Sequence, residues 1–184
     1  MRGTDKLLEP VDGTPLLRHM AKIALASGLP VTVALPPDRP ERARAVADLP
    51  LSLVTAEGAH EGMAVSLSAG LRAVPEDAAV LVLLADLPEI DTQDLTRMRE
   101  AQHQHPDRIL RATAADGTPG HPVVFPPGAR GALHALKGDE GARAVLRAQA
   151  AKVIAVPLPQ RHATTDLDTP EDWAAWRLAR DVRA

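Results

Sequence analysis

The sequence has no cysteine among its 184 residues, and its aromatic residues are one phenylalanine and two tryptophans. The lack of cysteine excludes disulfides, thiolate catalysis and cysteine-ligated zinc. Phe125, Trp173 and Trp176 are too few to form a base-stacking platform for single-stranded nucleic acid. The core must therefore be built mainly from alanine, leucine and valine.

Strong charge, long apolar runs and a leader pattern are also lacking. A formal net charge of -3 gives no basic footprint for nucleic acid or for an acidic membrane surface. No apolar run approaches the roughly 18 residues that a membrane span needs, and no basic-then-apolar signal peptide opens the chain. We expect a cytoplasmic protein with neither nucleic acid nor membrane as a partner, folded as one domain over residues 1–184.

Helical and strand patterns alternate over the first hundred residues. Apolar residues at helical spacing predict helices in "TPLLRHMAKIALASG", "DRPERARAVADL", "EGMAVSLSAGLRAV" and "DTQDLTRMREAQHQ". Short β-rich runs at 31–35, 51–56 and 78–85 predict strands, and the last, "AAVLVLLA", has the continuous apolar character of a strand buried on both faces. This alternation favours an α/β fold with a mostly parallel sheet and helices on both faces.

The second half is less regular. "RILRATA" and "HPVVFP" predict two strands around the turn "ADGTPG", and "KVIAVPL" predicts a late strand. Helices are predicted in "PGARGALHAL", "DEGARAVLRAQA" and "TPEDWAAWRLARDV". No repeat or linker divides the chain.

The residue that follows the most apolar strand is the first candidate for chemistry. In "LVLLADLPEI" the strand delivers Asp86 to the carboxyl edge of the sheet, where open α/β sheets bind ligands. A carboxylate there suits a hard cation such as Mg²⁺. The structural alternative is that Asp86 only caps a turn, and spacing alone does not decide between the two.

A second acidic stretch is "TTDLDTPEDW". Thr169, Pro170 and Asp172 fit a helix capping box and so have a structural role. Asp166 and Asp168 are left unexplained by the cap, and they would repel a carboxylate at Asp86 unless a cation lay between them. Metal binding is the favoured reading, and a solvated acidic strand end is the alternative.

Three weaker signals have plain structural alternatives. Gly62 opens a helix that carries Ser66 one turn in, where free amides could hold an anion, although such residues are common at helix starts. His121 opens a strand and is more often structural than catalytic in such a position. Arg143, near the start of a helix, could reach an anionic ligand or simply follow a helix–helix connection.

Six segments in order resemble the MobA-like nucleotidyltransferases, and most of all their molybdenum cofactor cytidylyltransferase branch. They are "KLLEPVDGTPLLRH", "EGMAVSLSAGL", "LLADLPEID", "GHPVVF", "LKGDEGAR" and "DLDTPEDW". The resemblance implies a Rossmann-like nucleotidyltransferase fold, and a reaction in which the phosphate of molybdopterin attacks the α-phosphorus of CTP and pyrophosphate leaves.

The resemblance also implies roles for individual residues. Lys6 and Asp86 would be catalytic, with Lys6 on the triphosphate and Mg²⁺ held by Asp86 with Asp168 and Asp166. Gly62, Met63 and Ser66 would lie near the nucleotide. The acceptor side would hold His121, Asp139 and Arg143. The partners implied are CTP or another nucleoside triphosphate, a molybdopterin-type acceptor, and a molybdenum enzyme or its maturation chaperone.

The sequence departs from the family pattern at its start. The family begins with a strand and a glycine-rich signature that runs into a lysine, whereas this sequence enters with "MRGTDK". We expect the first strand and the phosphate loop to be absent, with Lys6 as the remainder of the loop. Two alternatives stay open: a sister nucleotidyltransferase that uses GTP or another acceptor, and a non-catalytic carrier or chaperone of the molybdenum cofactor.

Overall fold

A computed structural model describes residues 5–136 and 141–181 of the chain. The helices are α1 Leu16–Ala26, α2 Pro40–Val46, α3 Met63–Arg72, α4 Thr92–Gln104, α5 Arg130–His134, α6 Arg143–Ala148 and α7 Pro170–Asp181. The strands are β1 Pro10–Val11, β2 Thr14–Pro15, β3 Thr32–Leu35, β4 Ser52–Thr55, β5 Val80–Val82, β6 Ile109–Thr113, β7 Pro119–Phe125 and β8 Val153–Pro157. Each predicted helix and strand in these residues is present, with ends that differ by a few residues.

The main sheet has four strands in the order β5-β7-β6-β8. β7 runs antiparallel to both β5 and β6, and β8 runs parallel to β6. Three of the four strands therefore point the same way, as predicted, and β7 alone is reversed. The reversal follows from the short turn between β6 and β7, which is too short for the crossover that a parallel pair requires.

Helices cover both faces of this sheet. Because side chains alternate along a strand, Leu110 and Val124 pack on one face with α1, α4 and α7, whereas Ile109 and Val123 pack on the other with α3, α5 and α6. Trp173 of α7 is almost fully buried in the first of these cores, at 1% exposure. The predicted α/β layering is confirmed.

β3 and β4 form a separate parallel pair. β4 is the outer strand, with Leu53 exposed, while β3 packs against the core through Leu35. Helix α1 contributes Leu16 to the core of the main sheet and Leu17 to the core of this pair. Helix α3 likewise places Leu71 against the main sheet and Gly70 against β3. The same two helices, one on each face, thus hold the two sheets side by side.

Two local predictions were wrong in extent. The apolar run 78–85 was expected to be one long strand buried on both faces, but β5 spans Val80–Val82 and its side chains are only half-buried. Since β5 pairs with β7 alone among the described strands, its other edge is open and its residues stay partly accessible. Asp166 and Asp168 lie in the loop between β8 and α7 and not at a strand end.

The helix caps agree with the sequence. The Asp172 carboxylate accepts from the Thr169 amide at 2.8 Å, and the Asp172 amide donates to the Thr169 hydroxyl at 3.1 Å. Asp91 caps α4 by a reciprocal arrangement with Asp94. Within the described ranges, no helix is both long and apolar enough to cross a membrane.

Candidate functional site

Lys6 is placed by the turn that begins the described chain. Asp5 caps this turn by accepting a hydrogen bond from the Leu7 amide at 3.1 Å. The Asp5 carboxylate also accepts two hydrogen bonds from Arg42 on α2, at 2.7 and 2.9 Å. Although burial opposes it, these contacts lower the pKa of Asp5 and keep it charged. The backbone before Lys6 is thereby tied to a helix.

The Lys6 ammonium joins two distant parts of the chain. Its Nζ lies 2.6 Å from Asp86 Oδ2, just after β5, and 2.6 Å from Asp168 Oδ1, in the loop before α7. Although partial burial disfavours the charged form, hydrogen bonds from Lys6 to Asp168 and Asp86 raise the pKa of the ammonium. The cation expected between the carboxylates is, in this structure, the side chain of Lys6 itself.

The second carboxylate oxygen of Asp86 lacks a hydrogen-bond donor among the described residues. Its Oδ1 is buried and has no hydrogen-bond partner among the described residues. A buried carboxylate oxygen without a donor is costly, and a bound cation relieves that cost. Hard divalent cations take carboxylate oxygens as ligands, and Asp86 Oδ1 has no described donor that would compete with such an ion. Asp86 and Asp168 therefore fit such an ion.

Asp166 is not part of this group. Its side chain is exposed, and the described hydrogen bonds of the Lys6 ammonium go to Asp86 and Asp168. The path of the loop thus brings the carboxylate of Asp168 to Lys6 and leaves that of Asp166 in solvent.

Three contacts hold the loop that carries Asp168. His162 Nδ1 lies 2.7 Å from Asp94 Oδ2 at the start of α4, and the Thr165 hydroxyl lies 2.9 Å from Glu89 Oε2. The Ala163 carbonyl accepts a hydrogen bond from the His121 amide at 2.9 Å. These contacts tie the loop after β8 to the segment after β5 and to the start of β7, and so set the spacing of the two carboxylates.

A second acidic group has the composition of a metal site. Candidate ligand atoms of Asp91, Asp94 and His162 lie within 4.8 Å of one another. The carboxylates, however, already accept the amides at the start of α4, and Asp94 also contacts the His162 ring. Burial raises the pKa of Asp94 and outweighs the His162 hydrogen bond, which acts to lower it, so the charged form that a metal ligand needs is disfavoured. We interpret this group as a helix cap that anchors the loop.

A basic region lies on the α6 side of the same strands. Burial lowers the pKa of the His121 imidazole, and the charges of Arg111 and Arg143 lower it further, while the Val82 carbonyl and the Asp86 carboxylate act in the opposite direction. The charges of both arginines and of the carboxylate therefore influence the pKa of His121. His121 and Arg143 are two of the three predicted acceptor residues. The third, Asp139, lies outside the described residues.

The predicted nucleotide residues begin helix α3. Gly62 is buried at the N-terminal boundary with φ 130°, a conformation that favours glycine, and no side chain caps the helix. Met63 is 52% exposed and Ser66 is half-buried. The uncapped amides and the exposed methionine begin the helix that follows β4 along the chain, and the predicted architecture places a ligand where such connections leave the strands.

Arg111 was missed by the sequence analysis. It lies in the middle of β6, between Leu110 and Ala112, which are both 0% exposed. An arginine inside an otherwise buried strand is unusual, because a guanidinium is rarely buried without a partner. That signal was present in "RILRATA" and could have identified Arg111 as a candidate for binding an anionic ligand.

With this geometry in hand, the comparison with known families is decisive. Residues 1–153, well over half of the chain, match the model of the MobA-like NTP transferase domain. The chain belongs to this family. It is therefore a nucleotidyltransferase, with an α/β, Rossmann-like nucleotidyltransferase fold. No curated protein sequence matches the chain.

Solved structures resemble the whole chain. The crystal structure of Rv0371c from Mycobacterium tuberculosis H37Rv matches with 25% identity and a TM-score of 0.82, covering 95% of this chain and 90% of that one. The complex of Rv0371c with manganese matches with 24% identity and a TM-score of 0.81, covering 94% and 91%. A nucleotidyl transferase from Methanothermobacter thermautotroptrophicus, 18% identical with a TM-score of 0.80, covers 96% of this chain and 85% of its own. It shares the fold.

Proposed function

We propose that this nucleotidyltransferase moves CMP from CTP to the phosphate of a molybdopterin-type acceptor and releases pyrophosphate, with Mg²⁺ as its cofactor. The observation that carries the proposal is the pair Asp86 and Asp168, which hold one cationic group between them while Asp86 Oδ1 stays buried without a partner. A carrier of the finished cofactor would have no need of such a pair.

Asp86 and Asp168 would hold the metal ion. The donor set is oxygen only, as Mg²⁺ and Mn²⁺ prefer, and Rv0371c has been crystallised with manganese. Bound there, the ion would supply positive charge opposite the phosphates of the nucleotide. Lys6 would then leave the carboxylates, because two cations cannot share the same oxygens at close range.

The displaced Lys6 has a natural second position. Its ammonium, still fully charged, is free to turn toward the triphosphate and to stabilise the negative charge that develops on the departing pyrophosphate. In the reaction, an oxygen of the acceptor phosphate bonds to the α-phosphorus of CTP, and the bond from that phosphorus to the bridging oxygen of pyrophosphate breaks. The residues of this chain mainly position the two substrates and balance charge.

The nucleotide would lie at the start of α3. The uncapped amides after Gly62 are donors for a base edge or a phosphate, and the exposed Met63 side chain offers an apolar surface to a base. Ser66 is one turn further into the helix. His121, Asp139 and Arg143 would face the acceptor.

We also propose that a strand and a glycine-rich loop belong between β3 and β5. Both strands have an edge that pairs with no described strand, and α1 and α3 bracket the space between the two sheets from opposite faces. A strand inserted there would join the sheets, and its following loop would lead to Lys6.

The test is pyrophosphate release with CTP and with GTP, in the presence of a molybdopterin-type acceptor and of Mg²⁺ or Mn²⁺. The 184-residue chain is compared with one extended upstream by a strand and phosphate loop. Release with CTP, at a higher rate from the extended chain, is expected. Release with GTP alone would identify the sister activity. If neither chain releases pyrophosphate and the molybdenum cofactor binds without being changed, the protein is a carrier and not an enzyme.

A further inference from the structure

Asp5 lies directly before Lys6 and is held by an arginine of α2. The Arg42 guanidinium donates to both carboxylate oxygens of Asp5, from Nε to Oδ2 at 2.7 Å and from Nη2 to Oδ1 at 2.9 Å. The side chains of Arg42 and Asp5 are only 22% and 11% exposed. Two parallel charge-assisted hydrogen bonds fix both groups in distance and in angle. Arg42 thereby fixes the residue before Lys6.

The helix that carries Arg42 is itself anchored in the core. Val46 of α2 is 0% exposed and packs in the core that α1 shares with β3. Leu7, the residue after Lys6, packs against the same core, and its amide donates to the Asp5 carboxylate. The backbone of Lys6 is therefore held on both sides, by Asp5 before it and by Leu7 after it.

A second arginine–aspartate pair provides a contrast. Arg18 donates to both carboxylate oxygens of Asp48, but Asp48 is 69% exposed and neither residue adjoins a residue of the candidate site. Withdrawing a carboxylate and a guanidinium from water costs free energy that an exposed pair does not lose. The burial of the Asp5 pair therefore favours a role in placing the neighbouring Lys6 over a role in stability alone.

We infer that Arg42, acting through Asp5, positions the ammonium of Lys6 between the two carboxylates of the site. The inference rests on the role proposed above for Lys6. A lysine side chain has several rotatable bonds and loses rotamer entropy when it is ordered. A fixed backbone confines its ammonium to a smaller volume and so raises the fraction of time that it spends at the carboxylates. Arg42 and Asp5 are positioning residues, since they act on the reaction through Lys6.

Loosening this anchor changes two measurable quantities in opposite directions. An ammonium that spends less time at Asp86 and Asp168 competes less with a divalent cation for the same oxygens, so the affinity of the nucleotide-free chain for Mn²⁺ rises. The same ammonium meets the triphosphate less often, so turnover falls. A merely structural role for Arg42 would lower both quantities, because a disturbed site binds a metal ion less tightly and also reacts more slowly.

The first experiment uses neither metal nor substrate. Urea unfolding of the 184-residue chain measures the effect of Arg42→Gln with and without Lys6→Gln. Because part of the stability that Arg42 provides depends on the pairing of Lys6, Arg42→Gln should lower the urea midpoint less when Lys6 is also replaced. The control is Arg44→Gln on the same helix, where the side chain is 71% exposed, and its effect should be the same in both backgrounds. Equal effects of Arg42→Gln in both backgrounds would overturn the inference.

The second experiment measures the two opposite effects. Mn²⁺ is titrated calorimetrically into the nucleotide-free 184-residue chain, and kcat for pyrophosphate release is measured in the extended chain. Arg42→Gln should bind Mn²⁺ more tightly and have a lower kcat, each by about threefold or more. Arg42→Lys keeps the charge but not the forked geometry, so its values should lie between those of Arg42→Gln and the unsubstituted chain. Arg44→Gln should leave both quantities within about twofold.

The outcomes separate this inference from the proposed function. Weaker or unchanged Mn²⁺ binding in Arg42→Gln would overturn the positioning of Lys6 by Arg42. Tighter Mn²⁺ binding in Arg42→Gln, with no pyrophosphate release from any chain, would support the positioning of Lys6 while the proposed function failed.

Discussion

The acidic and the basic halves of the site are built in opposite ways. In the acidic half, Asp86 and Asp168 are neutralised by a group of the same chain, the ammonium of Lys6, at 2.6 Å from each. In the basic half, Arg111 and Arg143 form no ion pair with a carboxylate among the described residues, and the charges of both lower the pKa of the buried His121. The negative charges of the first half are paired with a cation of the same chain, whereas the positive charges of the second half have no described carboxylate beside them.

This difference bears on what each half does. In the proposed mechanism, Lys6 would leave the carboxylates when they hold a metal ion and would then become available for the triphosphate. Where positive charges have no acidic partner among the described residues, an incoming anion is attracted from the outset. The proposed metal site would therefore couple two events, whereas the basic half would attract a charged ligand.

The largest expected effect comes from removing a carboxylate. Asp86→Ala should lower metal-dependent pyrophosphate release by about 10²- to 10³-fold, while the fold survives because Asp86 is half-buried in the turn that follows β5. Asp166→Ala, at an exposed position two residues from Asp168, is the matched control and should keep its activity. Full activity in Asp86→Ala would refute the metal assignment.

The next effect tests the acceptor side of the proposed site. Because Arg143 is proposed to face the acceptor, Arg143→Gln should raise the acceptor KM by about tenfold and leave the KM for CTP within about twofold. Arg97→Gln, which removes an exposed positive charge from α4, is the control and should change neither. Equal increases in the two KM values would contradict the acceptor assignment.

A third test concerns the contact that joins the two halves. A Cβ at Gly120 would lie 1.9 Å from the Ala163 carbonyl oxygen, so Gly120→Ala must displace the loop that carries Asp168. We expect a loss of about 2 kcal/mol and a fall in Tm of about 6 °C. Gly131→Ala, whose added Cβ meets nothing within 4 Å on α5, is the control and should be neutral or stabilising. A Gly120→Ala protein with unchanged Tm and activity would contradict this account of the loop.

The smallest effect is a pH dependence. Because burial lowers the pKa of His121 below its ordinary value of 6.5, the unfolded state takes up this proton first as the pH falls. The free energy of unfolding should therefore decrease as the pH is lowered from 7 to 5, and by less in His121→Asn than in the unsubstituted chain. Urea unfolding at the two pH values measures this, with the exposed His103→Asn as control. Equal pH dependence in His121→Asn and the unsubstituted chain would mean that His121 is not held in its neutral form.

Much of the fold could be predicted because its signals are local. Apolar spacing identified α1 and α4, and the capping box at Thr169 and Asp172 marked where α7 begins. The position of Asp86 after an apolar run followed from the same local pattern. The predicted length of β5 was wrong, since the extent of a strand depends on which neighbouring strands pair with it.

The order of helices and strands, the alternation that covers both faces of the sheet, and the candidate carboxylates followed from the amino-acid sequence alone. The packed fold was needed to show that Lys6 is the cation between Asp86 and Asp168, 80 and 162 positions away. It was also needed to show that Asp168, and not Asp166, pairs with Lys6. The physical reason is that periodicity and capping act within a few residues, whereas charge pairing depends on distances that exist only after the strands have packed.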